Sequence, residues 1–378
     1  MVVTGIVVEY NPFHNGHIKH IKLAREKTNC DVLVAVMSGN FVQRGEPAIF
    51  DKWARTKAAL KNEVDLVIEL PFPYVNQNAS VFAKAAVDIL NLAKCDFIVF
   101  GSEINDLEIL KDFASVNINV DHLKEKMSEG DSYPKAYSLL SREFYSNDIL
   151  GVAYLKALKD YSIKPIIIKR DNSSYDLDNN IQIESATNTR NKIKNNINVE
   201  KITPIFDFAK RENAIFINDY FPLFKSYLLS QNPDYLKTMA LFAEGIENNL
   251  IKQATIHYNF EDFISSAISR RYTKSRIQRT LISMLTNLTQ KEIDELPKMN
   301  QLKVLGFNRV GQAYIRTLKK EKINVVTRFN QYNKIYRDIE LKSTAIYITF
   351  LDPKMQKYLW DREFKGPIIY RNNKFYNE

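Results

Sequence analysis

The sequence predicts an α/β protein in which a Rossmann-like, doubly wound parallel sheet precedes a mainly helical, basic domain with a small terminal α/β element. Three observations lead to this prediction. Short Val- and Ile-rich runs alternate with helical periods through residues 1–200. Beyond residue 200, helical periods dominate. All of the excess positive charge also lies in that second half.

Five runs in the first 200 residues are typical of strands buried on both faces, because each is short and nearly continuous in apolar residues. In chain order they are VVTGIVVEY, DVLVAVMSG, DLVIEL, DFIVFG and KPIIIKR. Helices are predicted between and around them, with Asp51 and Ser80 as N-caps of the second and third. Their ranges are 16–28, 51–61, 80–94, 133–144 and 148–161.

The second half has a different pattern. Helices are predicted in DYFPLFKSYLLS, PDYLKTMALFAEGIENNLIKQA, EDFISSAISRRYTKSRIQRTLISMLTNL and VGQAYIRTLKKE, and short strands in INVVTRF and STAIYITFL. VLGFNRVG (304–311) has G-x₄-G spacing without a strong preceding strand and is predicted as a turn. The polar run 171–184 is predicted as a loop. We therefore expect two domains, 1–200 and 201–378.

The composition is that of a globular protein, with 378 residues, 45% hydrophobic and 26% charged. No apolar run approaches the ~18 residues of a membrane helix, and the N-terminus lacks the features of a signal peptide. We therefore expect a cytoplasmic protein without a membrane partner. Cys30 and Cys95 lie in apolar surroundings and are expected to be buried thiols.

The charge is divided unevenly between the two halves. Residues 1–200 carry 24 Lys and Arg against 26 Asp and Glu, a net charge of −2, whereas residues 201–378 carry 29 against 18, a net charge of +11. Such asymmetry favours a polyanion bound by the second half, nucleic acid being the commonest case, although a solvated basic surface is the alternative.

Three of the five histidines fall in the run NPFHNGHIKH, directly after the first predicted strand. Pro12 ends that strand, and the backbone N–H groups of the helix expected from about His17 would face an anion bound there. His14 and His17 flank Gly16, so both rings can converge on phosphate oxygens. This arrangement suits nucleotidyl transfer, where positioned donors stabilise charge on the phosphates. We predict His14 and His17 to be catalytic.

Zinc binding and ordinary surface histidines are the alternatives for this cluster. His14, His17 and His20 are spaced H-x₂-H-x₂-H, but His14 precedes the helix. No Cys, Asp or Glu occurs between Tyr10 and Arg25 to complete a metal site. We therefore expect no metal bound by protein ligands alone; Mg²⁺ is expected to accompany a bound nucleoside triphosphate (ATP, if the resemblance described next holds), because triphosphates carry it.

The run GIVVEYNPFHNGH resembles the H-x-G-H signature of the nucleotidyltransferase superfamily, which includes adenylyltransferases and class I aminoacyl-tRNA synthetases. More narrowly, the first 200 residues are similar to the bacterial tRNA(Met) cytidine acetate ligase family. The motifs that follow one another as in that family are EYNPFHNGH, MSGNFVQRGEPAIFDKWARTKAAL, DLVIELPFPY, FGSE, SNDILGVAYLKAL, IKR and SATNTR.

This resemblance implies a reaction and a set of ATP contacts. ATP and acetate would form acetyl-adenylate and pyrophosphate, and the acetyl group would pass to N4 of the wobble cytidine of elongator tRNA(Met). The chain departs from the family pattern at Ser146, where proline is usual, and at Thr189, where isoleucine is usual. The implied ATP-binding residues are Val7, Val8, Glu9, Tyr10, Asn11, Pro12, Phe13, His14, Asn15, Gly16, His17, Ile18, Lys19, His20, Gly101, Asn147, Arg170, Ser185 and Thr187.

Two further segments are candidate binding elements. The glycine-punctuated loop after the second strand, from Ser38, is expected to close over acetate and exclude water. The densest basic stretch, SRRYTKSRIQRT (269–280), is predicted to be helical and to contact tRNA phosphates. Its basic residues are Arg270, Arg271, Lys274, Arg276 and Arg279. Residues expected to extend this surface are Lys303, Arg309, Arg316, Lys319 and Lys320.

Two other functions stay open. An adenylyltransferase for a small phosphorylated metabolite needs only the first half, so the basic second half argues against it. A non-catalytic RNA-binding protein with a relic nucleotide fold is disfavoured by the intact set His14, Gly16, His17, Arg170 and Ser185. Release of pyrophosphate distinguishes an enzyme from a binding protein.

Overall fold

The computed structural model describes residues 1–115, 146–170, 175–176, 181–205 and 207–377. The predicted helix 133–144 and most of the predicted loop 171–184 lie outside the described residues. Among the described residues, no helix is both long enough and apolar enough to cross a membrane.

The strands are β1 (Val3–Val8), β2 (Val32–Ser38), β3 (Phe41–Val42), β4 (Glu46–Pro47), β5 (Leu66–Leu70), β6 (Phe97–Ser102), β7 (Lys164–Lys169), β8 (Tyr175–Asp176), β9 (Ile181–Gln182), β10 (Gln301–Phe307), β11 (Asn324–Val326), β12 (Ile368–Arg371) and β13 (Lys374–Tyr376). The helices of the first half are α1 (Asn15–Thr28), α2 (Lys52–Lys61), α3 (Phe72–Val75), α4 (Ala79–Leu92), α5 (Leu107–Ser115), α6 (Ser146–Ala157) and α7 (Ala186–Lys194). The helices of the second half are α8 (Phe221–Ser230), α9 (Pro233–Leu236), α10 (Ile246–Ile256), α11 (Phe260–Ala267), α12 (Lys274–Leu285), α13 (Gln290–Asp294), α14 (Arg309–Lys320), α15 (Lys334–Ile348) and α16 (Pro353–Phe364).

The five strands predicted in the first half are parallel neighbours in the order β5-β2-β1-β6-β7. The chain runs outward from the central β1 to β5 and then crosses to β6 on the other side. This crossing is the topological switch point, where ligands bind beyond the carboxyl ends of the strands in open α/β sheets. The predicted doubly wound sheet is confirmed, and it places the H-x-G-H run at the switch point.

Strands from the second half extend the same sheet. β10 pairs antiparallel with β5, with Phe307 opposite Leu66, and β12 pairs parallel with β10. The prediction of a turn at 304–311 is therefore wrong for its first part, because 301–307 is a strand. The strand was missed because the charged residue Lys303 interrupts its apolar pattern, although Lys303 is buried.

The prediction of a strand in STAIYITFL is also wrong, because the run belongs to the end and C-terminal flank of helix α15. The buried residues of α15 recur at helical spacing, as Tyr336, Ile339, Ser343 and Tyr347 show. This helical apolar period begins well before the β-branched run. The run is therefore helical because its side chains pack in the core, although its local propensity favours a strand.

Several helices differ from those predicted, among them the run PDYLKTMALFAEGIENNLIKQA, which forms two separate helices, α9 and α10. Asn78, not Ser80, caps α4, since its side chain accepts the N–H of Val81 at 3.1 Å. The long helix predicted through the basic stretch is two helices, α11 and α12, because Ile268 takes an extended conformation and Thr273 caps α12.

Alternating residues of the central strands pack on opposite faces of the sheet. Leu33 and Ala35 of β2 face one core, which is shared with α1, α2, α8 and α12. Val34 of β2 faces the other core, which is shared with α4, α6 and α14. The second half therefore contributes helices to both faces.

A buried ionic cluster joins the two halves of the chain beneath the first of these cores. Lys52 Nζ lies 2.8 Å from Glu69 Oε1 and 2.7 Å from Glu363 Oε1. Lys303 Nζ lies 2.5 Å from Glu69 Oε2, and Glu340 Oε1 accepts the backbone N–H of Phe72 at 2.7 Å. All four charged residues from α2, β5, α15 and α16 are at most 2% exposed, so the cluster is structural rather than an exposed anion-binding face.

Candidate active site

A cavity of about 600 Å³ lies at the carboxyl ends of β1, β6 and β7. This volume is in the range usual for small-molecule and cofactor sites. Predicted ATP-binding residues that line it are Val7, Val8, Glu9, Tyr10, Asn11, His14, Gly16, His17, Lys19, His20, Gly101, Asn147, Arg170, Ser185 and Thr187.

The four remaining residues of the predicted ATP-binding set lie outside the cavity lining. Phe13 is fully buried in the core, and Ile18 packs against that core. Asn15 donates from its backbone N–H to Ile202 at 3.0 Å, and Pro12 is buried behind the loop. These residues hold the loop between β1 and α1 in place.

His14 and His17 build the start of helix α1. The backbone N–H of Gly16 donates to His14 Nδ1 at 3.1 Å, and the backbone N–H of His14 donates to His17 Nδ1 at 3.2 Å. The two imidazoles therefore form a reciprocal capping box, in the positions that Ser and Glu more often occupy. Their ring centroids lie 3.9 Å apart.

This capping fixes the tautomers of both rings. Because each Nδ1 accepts a hydrogen bond, the proton of the neutral imidazole resides on Nε2. Burial, reinforced by Arg170 and Arg190, lowers the pKa of His14 to about 4, and burial beside His14 holds the pKa of His17 well below its usual range. Both rings are thus neutral N–H donors at neutral pH in the absence of a bound anion.

Gly16 is required by the ring of His14. A Cβ added at Gly16 would come within 2.8 Å of His14 Cε1 and 3.0 Å of His14 Nδ1. The glycine therefore lets the imidazole lie over the first turn and accept the Gly16 N–H.

His20 lies one turn further along α1 and also lines the cavity. Burial lowers its pKa to about 4, which a hydrogen bond to the Val99 backbone partly offsets. In the described part of the chain, no group of three or more His, Cys, Asp or Glu side chains is arranged to hold a metal ion.

The loop after β6 is organised by a buried carboxylate. Asp148 Oδ1 accepts hydrogen bonds from Ser102 Oγ at 2.6 Å and from the Glu103 N–H at 3.0 Å. Asn147, its neighbour in the first turn of α6, donates to Glu103 and lines the cavity. Asp148 therefore ties the Asn147 turn to the end of β6.

Arg170 crosses the end of β6 at a glycine. Its Nη1 donates to Asn147 Oδ1 at 3.3 Å, and its Nε lies 3.7 Å from Glu103 Oε1. A Cβ added at Gly101 would lie 2.8 Å from both Cγ and Cδ of Arg170. The absence of a side chain at Gly101 thus makes room for the guanidinium stem at the cavity wall.

A second helix start faces the same cavity. Ser185 caps α7 by accepting the Asn188 N–H at 3.2 Å, and Thr187 lies in the first turn. Arg190, one turn on, donates to the Asn11 carbonyl at 2.7 Å and to Thr187 Oγ1 at 3.1 Å. Thr189, in place of isoleucine, is buried and donates to the Ser185 carbonyl at 3.0 Å, so the helix start keeps its form.

The hairpin β3–β4 contributes another part of the cavity wall. Val42, Arg44 and Glu46 line the cavity, whereas Ser38 and Asn40 are buried behind it. The loop predicted to close over acetate thus reaches the site through its hairpin. Arg44, Glu46, Tyr154 and Arg190 also line the cavity, and although each lies within a motif quoted above, none was among the predicted ATP contacts.

Arg55 holds the strand ends beneath this hairpin. It is fully buried, and its guanidinium donates to the carbonyls of Glu9 at 2.7 Å, Ser38 at 3.0 Å and Phe50 at 2.9 Å, and also to that of Gly39. Arg55 would be expected on the surface of its helix, but its guanidinium instead satisfies four buried backbone acceptors. The spacing of charged residues in the sequence does not reveal this role.

The basic stretch is only partly a surface. Arg270, Arg271 and Lys274 are exposed, at the turn before α12 and at its first residue. Arg276 is half-buried, with Nη1 donating to Glu244 Oε2 at 3.0 Å. Arg279 donates to the Gln43 carbonyl at 3.2 Å, so it packs α12 onto the hairpin.

The residues expected to extend this surface do not do so. Lys303 is buried in the ionic cluster. Arg309, Arg316, Lys319 and Lys320 belong to α14, which packs on the opposite face of the sheet from α12. The expectation rested on charge alone, and the fold separates these residues in space.

Known proteins are similar to this chain over most of its length. A family model described as HIGH Nucleotidyl Transferase matches residues 1–362. The tRNA(Met) cytidine acetate ligase of Caldicellulosiruptor bescii is 39% identical, with 98% of this chain and 99% of the relative covered. The ligase of Fusobacterium nucleatum is 39% identical over 85% of this chain and 86% of its own.

Two crystal structures of Thermotoga maritima TmcAL are similar throughout. The form bound with alpha-thio ATP is 30% identical with a TM-score of 0.85, and the apo form is 29% identical with a TM-score of 0.86. Each comparison covers 98% of this chain and 100% of the other. The chain therefore belongs to the HIGH nucleotidyl transferase family and, within it, to the tRNA(Met) cytidine acetate ligases.

Proposed function

We propose that the protein is an ATP-dependent ligase that activates acetate as acetyl-adenylate and acetylates N4 of the wobble cytidine of elongator tRNA(Met). In the first step an acetate oxygen attacks the α-phosphorus of ATP and pyrophosphate leaves. In the second step the cytidine amine attacks the acetyl carbonyl and AMP leaves. The product is N4-acetylcytidine.

The observation that carries this proposal is the convergence of two helix starts on one cavity. The α1 start presents the Nε2 sides of His14 and His17, and the α7 start presents Ser185 and Thr187. Helix N-termini bind phosphate through their unpaired N–H groups and dipoles. Donors fixed before reaction also stabilise the charge that develops during nucleotidyl transfer.

The two ends of the cavity suit different parts of the reactants. We assign the adenosine to the side of Gly101 and Asn147 and the triphosphate to the helix starts with Arg170. The acyl group then lies toward the β3–β4 hairpin. Mg²⁺ enters with ATP as part of the substrate, because triphosphates carry it.

We assign tRNA to the basic second half and catalysis to the first, with 1–200 as the catalytic domain and 201–378 as the tRNA-binding domain. Exposed Arg270, Arg271 and Lys274 contact phosphates in this assignment, which gives salt-dependent binding without base recognition. The contact between α12 and the hairpin brings this surface close to the proposed acyl end. A tRNA substrate also places the enzyme in the cytoplasm.

The reaction is tested with purified protein, ATP, ¹³C-labelled acetate and an elongator tRNA(Met) transcript. Nucleoside mass spectrometry is expected to show labelled N4-acetylcytidine. A matched transcript with uridine at the wobble position is the control and should remain unlabelled. Label at another base, or no label in a preparation that binds ATP and tRNA, would overturn the proposed target.

A further inference from the structure

Glu9 lies at the carboxyl end of β1, at the hairpin end of the cavity. The side-chain Oε1 of Glu9 accepts the backbone N–H of Gln43 at 2.7 Å. The backbone carbonyl of Glu9 accepts a hydrogen bond from Arg55 Nη1 at 2.7 Å. Arg55 therefore holds the backbone of Glu9, and the hairpin holds its carboxylate. Among the described residues, Oε2 has no hydrogen-bond partner, so one oxygen remains for a ligand in the cavity.

The other carboxylates of the cavity wall are engaged differently. Glu46 Oε1 accepts from Gln278 Nε2 at 3.1 Å, and Glu184 forms an ion pair with Lys192. Glu9, by contrast, receives its hydrogen bond from a backbone N–H. Within the described part of the chain, it is the cavity carboxylate without a side-chain hydrogen-bond or ion-pair partner within bonding distance.

The surroundings of Glu9 act in two directions on its proton affinity. Burial raises the pKa of its carboxyl, while the Gln43 N–H and the charges of Arg44, Arg190 and Arg55 lower it, and the net pKa is above the usual value. The hydroxyl of Tyr154, on α6, is a further titratable neighbour. A carboxylate whose pKa is raised toward neutrality is a better proton acceptor than an exposed one.

The second step of the proposed reaction needs a proton acceptor at this end of the site. The C–N bond forms between N4 and the acetyl carbon, the bond from that carbon to the AMP oxygen breaks, and the amine must lose one proton. In the proposed arrangement, the capping bonds leave Nε2 of His14 and His17 for the phosphates. The acyl end has Glu9 at its wall.

We propose that Glu9 is a catalytic residue that accepts the proton from the cytidine N4 amine as the acetyl group is transferred. The proton goes to Oε2, and AMP leaves with the electron pair of the broken C–O bond. This inference rests on the proposed function, since it assigns a role within the second step.

The same geometry makes Arg279 a positioning residue. Gln43 donates its N–H to Glu9 and accepts at its carbonyl from Arg279, so α12 of the basic stretch is joined to Glu9 through one hairpin residue. A Cβ added at Gly45 would lie 2.3 Å from the Arg279 backbone nitrogen, which shows how closely the hairpin lies on α12. Arg279 therefore affects transfer through Glu9, not through contact with tRNA.

The test is Glu9→Gln, which keeps an acceptor for the Gln43 N–H but cannot take a proton. Two half-reactions are measured: acetate-dependent exchange of pyrophosphate into ATP, and single-turnover transfer from synthetic acetyl-adenylate to tRNA. Transfer is expected to fall by about 10²–10⁴, the usual contribution of general base catalysis, and at least tenfold more than exchange falls. The wild type is expected to lose transfer rate at acidic pH as Glu9 becomes protonated, and this pH dependence should disappear in Glu9→Gln.

Glu26→Gln is the control, because it removes one exposed carboxylate from α1 away from the cavity. Transfer by Glu9→Gln at near wild-type rate, or an equal loss in both half-reactions, would overturn the role of Glu9. An absence of acetate-dependent exchange in the wild type would instead overturn the proposed function. Arg279→Lys should lower the transfer rate while leaving the Kd for tRNA unchanged, and a weakened Kd would contradict its positioning role.

Discussion

His14 and His17 are joined by a reciprocal hydrogen-bond arrangement at the start of α1: each Nδ1 accepts a backbone N–H, and the ring centroids lie 3.9 Å apart. The Nδ1 side of each ring therefore stabilises the helix start, and the Nε2 side is left for phosphate. Because the two functions use different nitrogens, substitution can separate them.

Replacing His14 by asparagine should separate the contribution of His14 to stability from its contribution to catalysis. Asn is a good N-cap, so His14→Asn should keep the thermal stability of the protein, whereas His14→Ala should lose about 0.5–2 kcal/mol of unfolding free energy. Both variants lack the Nε2 donor and should lose about 10²–10³ in adenylate formation while still binding tRNA. Equal loss of stability in the two variants, or retained adenylate formation in His14→Asn, would contradict the assignment.

Gly101→Ala should weaken ATP binding without unfolding the protein. The new methyl group would lie 2.8 Å from Cγ and Cδ of Arg170, and this long side chain would have to move from the cavity wall. We expect KM for ATP to rise about tenfold, in keeping with the loss of one charge-assisted contact of ~1.5 kcal/mol. Steady-state exchange kinetics measure this, and an unchanged KM would show that Arg170 does not contact ATP.

Charge reversal at Arg271 and Lys274 should weaken tRNA binding and leave adenylate formation intact. Both side chains are exposed, so their loss removes phosphate contacts without disturbing packing. The slope of log K against log salt concentration should fall by about one for each lost contact. Reversal of Arg316, which is also exposed but lies on the opposite sheet face, is the comparison and should leave tRNA affinity unchanged. Unaltered affinity in the first variant would place the tRNA surface elsewhere.

The buried ionic cluster should make stability depend on pH. Burial, and then the neighbouring Glu69, raise the pKa of Glu340 to about 7, although Lys303 and Lys52 oppose this. The folded state thus binds the proton more tightly than the unfolded state, and the stability this gives is present below about pH 4 and is lost as pH rises through 7. The lowered pKa of Glu69, about 2, acts only at lower pH.

Glu340→Gln should remove this dependence. Between pH 5 and pH 8 the unfolding free energy of the wild type should fall by on the order of 2 kcal/mol relative to the variant. Chemical denaturation at several pH values measures the difference. Parallel curves for the two proteins would show that Glu340 does not titrate in this range.

The sheet of the first half was predictable because its strands are continuous apolar runs separated by clear helical periods, and topology then places their ends together. His14, His17, Gly101, Arg170 and Ser185 could be named because motifs mark them, and all five line the cavity. The assignment of their roles remains a prediction.

What the sequence did not reveal depends on contacts between distant segments. Lys52 and Lys303 look like surface charges in the sequence, yet both are buried against carboxylates of other elements. Arg279 looks like part of a tRNA surface, but its partner is the carbonyl of Gln43, more than 200 positions away. Charge and spacing give no information about such partners before the fold is known.

The most direct test of the proposed chemistry is exchange of labelled pyrophosphate into ATP by the purified protein, with acetate compared with longer carboxylic acids and with no acid. Exchange that requires acetate is the predicted result, because it demonstrates reversible formation of acetyl-adenylate. No exchange with any acid, under conditions where ATP binds, would contradict the proposed ligase activity. It would favour adenylyl transfer to another acceptor, or RNA binding without catalysis.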